Sequence, residues 1–198
     1  MKILYLQKIG WNMINRVRHY VYADVVDLLG RIPTELDVVY DLGAGKRDNP
    51  ISLQVREIMC NYLISVEAFE PYIDFLLKSG NKAKSHDVVL AHLTNSNYKV
   101  KVCDLVIMLD VIEHLPKDEA LELITYLKTK AKTILIFTPE GDTIGYSNGD
   151  MGNELQSHLS GWTAEEFELL GFDVVVYEQF HTHVKDYPIG AMWATWTS

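Results

Sequence analysis

Apolar residues along this chain gather in short runs, separated by stretches with helical spacing. The runs cover residues 37–42, 62–66, 88–91, 104–109 and 133–137. Each has strand length, as expected of strands covered on both faces. Between them the pattern predicts a helix over 50–61 and another from Pro71 to about Leu77, closed by Gly80. A further helix opens at Pro116. Asp118 and Glu119 lie in its first turn, Lys128 and Lys130 in its last, so its charges complement the helix dipole. Leu121, Ile124 and Leu127 mark its buried stripe. Residues 138–161 are rich in Gly, Asn, Asp and Ser and read as a long functional loop. Thr163 to Glu166 then spell a capping box, with Trp162 and Phe167 as its hydrophobic staple, and Gly171 ends that helix. The last two strands fall at 174–177 and 189–196. Their link, about residues 180–188, is short enough for antiparallel neighbours, whereas a parallel crossover needs a dozen residues or more. Upstream, Ile14, Val17, Val21, Val25, Leu28 and Leu29 follow helical spacing until Gly30 and Pro33 stop it.

Strand–helix alternation followed by an antiparallel pair predicts an α/β fold. Its core is a doubly wound, mostly parallel seven-stranded sheet with a final antiparallel strand. Residues 1–36 are expected to form a helical extension or lid, and residues 37–198 a single globular domain.

Composition narrows the function classes. The chain has 198 residues, 48% hydrophobic and 23% charged, enough apolar material for a full core. Its net charge of −9, with no basic run longer than two residues, disfavours bulk nucleic acid as a partner. No apolar run approaches the ~18 residues of a membrane span, and residues 1–6 do not read as a signal peptide. Cys60 and Cys103 sit in apolar stretches without CxxC spacing, which predicts buried free thiols and suits the reducing cytoplasm.

Ligands of such sheets bind beyond the carboxyl ends of the strands, where strand order reverses. The predicted ends carry Asp41-Leu-Gly-Ala-Gly45, Glu67, His92-Leu93 and Asp110. Glycine lacks a Cβ and lets backbone approach a ligand, although a tight turn alone would also select it. Glu67 lies about twenty residues past the glycines, where a carboxylate can accept both hydroxyls of a ribose. Glu70 is a rival, but it stands where the next helix begins. The dinucleotide fingerprint wants a third glycine at the place of Asp48. An adenosine ligand without phosphates therefore fits better than a pyrophosphate.

Four stretches together resemble the class I S-adenosylmethionine-dependent methyltransferases. Val38-Val-Tyr-Asp-Leu-Gly-Ala-Gly45 is similar to their first motif, and Ser65-Val-Glu-Ala-Phe-Glu-Pro71 to their acidic second-strand motif. Cys103 to Leu115, ending in Asp-Val-Ile-Glu-His-Leu, is the most specific match. Asn153 to Trp162, followed by the capped helix and Gly171-Phe172, resembles a late segment found in a subset of these enzymes. The match covers about residues 37–175. The resemblance implies S-adenosyl-L-methionine as cofactor. It places Gly43, Ala44 and Gly45 under the methionine moiety, Asp41 as the support of that loop, Glu67 on the ribose with Ala68 beside adenine, Leu93 stacked on adenine, and Asp110 near the methionine end or the acceptor. In the family an acidic residue often stands where this chain has His92, so the adenine contact departs from the pattern.

Methyl transfer from a sulfonium needs no acid for its neutral leaving group, and much of the catalysis comes from alignment. His114 and His158 are the candidate bases for an acceptor that must lose a proton. His181 and His183 form an HxH pair without an evident third ligand, so no metal site is expected. Trp162, Trp193 and Trp196 read as packing residues, and Glu113 as local structure. The chain lacks the Asn/Asp-Pro-Pro-Tyr motif, which disfavours methylation of adenine or glutamine amino groups. A small-molecule acceptor, such as a sugar or phenol, is the default; a protein acceptor stays open, and oligomeric state is not encoded. Two alternatives stand beside this reading. One is a non-catalytic cofactor-binding or interaction protein. The other is an aminopropyl-type transferase, whose amine pocket Glu140 and Asp142 do not clearly provide.

Overall fold

Val38, Val39, Ile64, Val66, Val106, Ile107, Ile134 and Ile136 stand in the predicted runs, and branching at Cβ favours the extended chain they adopt. The computed structural model describes residues 35–47, 58–94, 98–147, 149–181 and 189–198. The strands are β1 (Leu36–Leu42), β2 (Cys60–Glu67), β3 (Ser85–Leu90), β4 (Cys103–Leu109), β5 (Ala131–Glu140), β6 (Asp173–His181) and β7 (Ile189–Thr197). They form one seven-stranded sheet in the order β3-β2-β1-β4-β5-β7-β6. Pairs among β1 to β5 are parallel. Strand β7 enters antiparallel between β5 and β6. The doubly wound sheet with a final antiparallel strand is thus the observed architecture.

Both faces of the sheet centre are covered. On one face Tyr40, Leu42, Val66, Val106, Met108 and Ile136 pack with Ile124 and Leu127 of α2 (Lys117–Lys128) and Phe167 of α3 (Ala164–Leu169). Side chains of opposite parity, Val39, Leu63, Leu105, Ile107 and Phe137, are also at most 1% exposed. Each such side chain contributes roughly 1.5–3 kcal/mol by leaving water, and burial on both faces explains why these strands read as continuous apolar runs rather than alternations.

Several boundaries differ from expectation. Strand β2 starts at Cys60, so the helix expected over 50–61 cannot reach its predicted end. Strand β5 runs on to Glu140 because β7 pairs with it as far as Glu140–Gly190, which takes 138–140 out of the expected loop. The stripe of α2 is Ala120, Leu123, Ile124 and Leu127, with Leu121 only half-buried. Helix α1 (Glu70–Lys78) begins on Glu70 itself. The capping box is fully formed. Glu166 N–H donates to Thr163 Oγ1 at 3.3 Å, Thr163 N–H donates to Glu166 Oε2 at 2.9 Å, and Trp162 stacks on Phe167 with centroids 4.9 Å apart. Cys60 and Cys103 are buried and unpaired with each other. No helix among the described residues is long and apolar enough to cross a membrane. The helix expected over 11–30, residues 1–34 of the expected extension or lid and His183 of the HxH pair lie outside the described residues, while Leu36, placed in that extension, already belongs to β1.

Candidate active site

Strand order reverses between β1 and β4, and a cavity of about 250 Å³ opens at the carboxyl ends of the strands there. Beyond Leu42 the chain turns through Gly43 (φ 67°) and Gly45 (φ 57°). Gly43 and Ala44 N–H both donate to the Val66 carbonyl, at 2.8 and 3.0 Å, which bends the loop across the end of β2. The two glycines answer different needs. A Cβ on Gly43 would lie 2.5 Å from Val111 Cγ2, whereas a Cβ on Gly45 would meet nothing within 4 Å. Gly43 therefore lets the loop close on the segment after β4, and Gly45 leaves space beside the cavity.

Asp41 supports the loop through a partner that sequence reasoning missed. Arg47, only 1% exposed, donates to Asp41 Oδ2 from Nε at 3.0 Å and from Nη2 at 2.5 Å. Nη2 also donates to Ser65 Oγ, which lies 2.8 Å from His86 Nε2. A pair of opposite charges on the fixed fork of a guanidinium makes this a rigid brace. Nothing in the local pattern marks Arg47 as buried; its only hint is a place two residues past a turn glycine.

Glu67 is 7% exposed and faces the same loop. Its Oε2 accepts the Gly45 N–H at 2.8 Å; Oε1 accepts those of Ala68 and Phe69 at 2.9 and 2.8 Å. A carboxylate offers about four acceptor positions, so one remains on Oε2. Burial pushes this carboxyl upward, and the three N–H bonds pull it back. Past β3, His92 is exposed and Leu93 half-buried, and both line the cavity with Ala68.

After β4, Asp110 adopts φ 52° and donates its N–H to the Phe137 carbonyl at 2.9 Å. A 3-10 turn, Ile112–His114, follows. The Glu113 carbonyl accepts the N–H groups of Leu159 and Ser160 at 2.8 and 3.0 Å, and Ser160 Oγ donates to the Ile112 carbonyl at 3.3 Å. Trp162 Nε1–H donates to Ser160 Oγ at 3.0 Å. Lys117 Nζ binds the Gly161 carbonyl at 2.7 Å and lies 3.5 Å above the Trp162 ring. This zip carries His158 to His114, with ring centroids 4.9 Å apart.

The histidines and carboxyls there are strongly perturbed. His114 Nδ1 lies 3.1 Å from the Ser157 carbonyl, which can only accept, so Nδ1 carries the proton. His158 Nδ1 pairs with Thr143 Oγ1 at 2.8 Å. Burial lowers His114. Burial, reinforced by His114, holds His158 down to about 4. Both rings are therefore neutral at pH 7. Burial raises Asp110, and burial together with the Asp110 charge raises Glu113 well above the usual carboxylate range.

The structure gathers every predicted cofactor residue in one cavity: Asp41, Gly43, Ala44, Gly45, Glu67, Ala68, His92, Leu93 and Asp110 all line it. Of the two predicted bases, His114 lines it too, while His158 lies beside His114 and is 7% exposed. The long loop supplies the remaining wall with Asp150, Asn153, Leu155 and Gln156. Asp150 Oδ2 is held by Tyr72 Oη–H at 2.6 Å and Lys46 Nζ at 2.7 Å, which ties that wall to the glycine loop and to α1.

No protein-family model matches the chain, and no curated protein does. Solved structures do match. The methyltransferase domain of a bacterial Hen1 (CtHen1-CN) is 19% identical over 89% of this chain and 96% of its own, with a TM-score of 0.57. DhpI in complex with SAH is 10% identical over 96% of this chain and 90% of its own, with a TM-score of 0.62. The small RNA methyltransferase HEN1 is 17% identical over 88% of this chain, which spans 25% of that protein, with a TM-score of 0.56. This chain has the class I methyltransferase fold. At these identities the likeness is one of fold. Within the methyltransferase fold, the β1/β4 crevice described above is where strand order reverses, and the polar strand ends of this chain all meet there.

Proposed function

We propose that the protein is an S-adenosylmethionine-dependent methyltransferase acting on a small-molecule acceptor. The observation that carries this reading is the cavity at the β1/β4 crevice, where Glu67 keeps one acceptor position on Oε2 beside the open face of Gly45. That combination fits an adenosine ligand without phosphates: a hydroxyl to be accepted, and no third glycine to seat a pyrophosphate. The complex of DhpI with SAH supports the same cofactor class.

When bound, the cofactor supplies an electrophilic methyl on a sulfonium, and a neutral thioether leaves. The residues of the chain do the rest. Glu67 Oε2 accepts one ribose hydroxyl; a second would compete with the Gly45 N–H, which makes this contact narrower than a two-hydroxyl clamp. Leu93 and Ala68 offer apolar surface to the adenine, and His92 stands at the rim in place of an acidic residue. The Asp41–Arg47 brace holds the glycine loop. Asp150, Asn153, Leu155 and Gln156 bound the acceptor end together with His114. A neutral imidazole there can accept a proton or ligate a cation, and His114 has Nε2 left for either use.

The net charge of −9 favours a small acceptor over a polyanion. The test is transfer from a clickable cofactor analogue to fractionated cell extract. Label in the low-molecular-weight fraction supports the proposal. Label confined to the RNA or protein fraction overturns its acceptor half, and no label in any fraction, with cofactor bound, overturns the enzyme itself.

A further inference from the structure

Glu113, His114 and His158 each turn one donor atom toward the others, and these three atoms all lie within 4.8 Å of one another. Their remaining polar atoms are committed elsewhere. Thr138 Oγ1 donates to Glu113 Oε2 at 2.9 Å. His114 Nδ1–H donates to the Ser157 carbonyl at 3.1 Å, and His158 Nδ1 pairs with Thr143 Oγ1 at 2.8 Å. Glu113 is 1% exposed, yet its Oε1 has no hydrogen-bond partner among the described residues. Leaving such an oxygen unmatched is costly. Metal ligands have this arrangement: an outer atom fixed by a hydroxyl or carbonyl, and an inner atom presented bare.

We propose that Glu113, His114 and His158 bind a divalent transition-metal ion beside the cavity. Two imidazoles and one carboxylate suit ions of the Mn²⁺, Fe²⁺, Co²⁺ and Zn²⁺ group rather than Mg²⁺ or Ca²⁺, which favour all-oxygen sets. Three protein ligands leave coordination positions open. His114 lines the cavity, so an oxygen atom of the acceptor can occupy one of them. The ion then orients the acceptor, and the two histidines are ligands rather than bases. Only this use for the acceptor rests on the methyltransferase reading; the site itself does not.

The zip that builds the site is made of bonds between segments more than forty residues apart. Leu159 and Ser160 N–H groups close on the Glu113 carbonyl, which together with the Ser160–Ile112 and His114–Ser157 bonds sets the distance between the two histidine-bearing segments. The ligands come from residues 113–114 and 158, too far apart for a sequence motif to announce them.

The experiment titrates the full chain with Co²⁺ in the absence of cofactor, reading visible ligand-field absorption, with Zn²⁺ as competitor. The expected result is one Co²⁺ per chain, displaced by Zn²⁺. His158→Gln should weaken binding by more than about tenfold, and Thr143→Val, which loosens the ring without removing a ligand, by about 10- to 100-fold. His181→Gln with His183→Gln should leave binding unchanged. The proposal is overturned if wild type binds no Co²⁺, if His158→Gln and Thr143→Val bind like wild type, or if the HxH variant loses the ion. Thermal unfolding with and without Zn²⁺ covers the case of a variant that folds poorly. Zn²⁺ should raise the Tm of wild type, and an absent shift counts against the site. Cofactor binding is measured separately, so a chain that binds cofactor but no metal refutes this inference alone.

Discussion

Substituting alanine at Gly43 should be far more damaging than at Gly45, although both glycines have positive φ. Each alanine incurs the left-handed backbone cost, about 1–2 kcal/mol. At Gly45 that is the whole effect, because a Cβ there meets nothing within 4 Å. At Gly43 the Cβ would stand 2.5 Å from Val111 Cγ2 and 3.0 Å from Cγ1. Val111 is 7% exposed and cannot simply swing aside, so overpacking adds about 1–3 kcal/mol. The total for Gly43→Ala is about 2–5 kcal/mol, against about 1–2 for Gly45→Ala. Urea unfolding of both variants, alone and in a Val111→Ala background, measures this. In that background the cost of Gly43→Ala should fall toward that of Gly45→Ala, with a small remainder from the Val111 Cβ at 3.3 Å, which alanine keeps; the coupling is about 1–3 kcal/mol. Equal costs in the wild-type background, or a Gly43→Ala cost that Val111→Ala leaves untouched, would refute the steric argument.

Other predictions rest on buried charges. Arg47→Met strands the Asp41 carboxylate and should cost about 3–5 kcal/mol in urea unfolding, with Asp41→Asn in the same chain restoring part of it. Glu113, raised in the native state, binds more protons there than in the unfolded chain above its ordinary pKa. In chelator, its contribution to stability is therefore present at low pH and lost as pH rises, and Glu113→Gln should flatten that fall. His158 acts in the opposite sense. Its pKa is lowered from 6.5 to about 4, so stability is gained as pH rises through that window, and His158→Gln removes the gain. Lys46→Met with Tyr72→Phe removes two of the contacts that hold Asp150; amide exchange across residues 149–156 should quicken while global stability shifts by less than about 1 kcal/mol.

The sheet was legible because its strands carry their own signature. Residues 37–42 and 104–109 are apolar on both parities, and only a strand covered on both faces demands that. The capping box at Thr163–Glu166 was legible because its bonds close within one helical turn. The strand ends Asp41, Glu67 and Asp110 followed from topology, since parallel strands aim their carboxyl ends at one crevice. The buried Arg47 was not legible: its partner lies six residues back, but burial depends on Ser65 from another strand. Glu113, His114 and His158 escaped as a cluster for the same reason. Adjacent residues read as turn structure, and the third member arrives through a pairing of residues 113 and 159 that no period encodes. Strand β5 outran its prediction because its partner β7, not its own composition, sets where it ends.

The proposed function stands or falls with the hold of Glu67 and the glycine loop on an adenosine cofactor. Titration calorimetry with S-adenosylhomocysteine tests it on wild type and Glu67→Gln, with thermal unfolding to confirm that both are folded. Wild type should bind in the micromolar range and the variant about 10- to 150-fold more weakly, the equivalent of one charge-assisted hydrogen bond at about 1.5–3 kcal/mol. A wild-type chain that does not bind the ligand, or a Glu67→Gln chain that binds it equally well, would rule out this cofactor site.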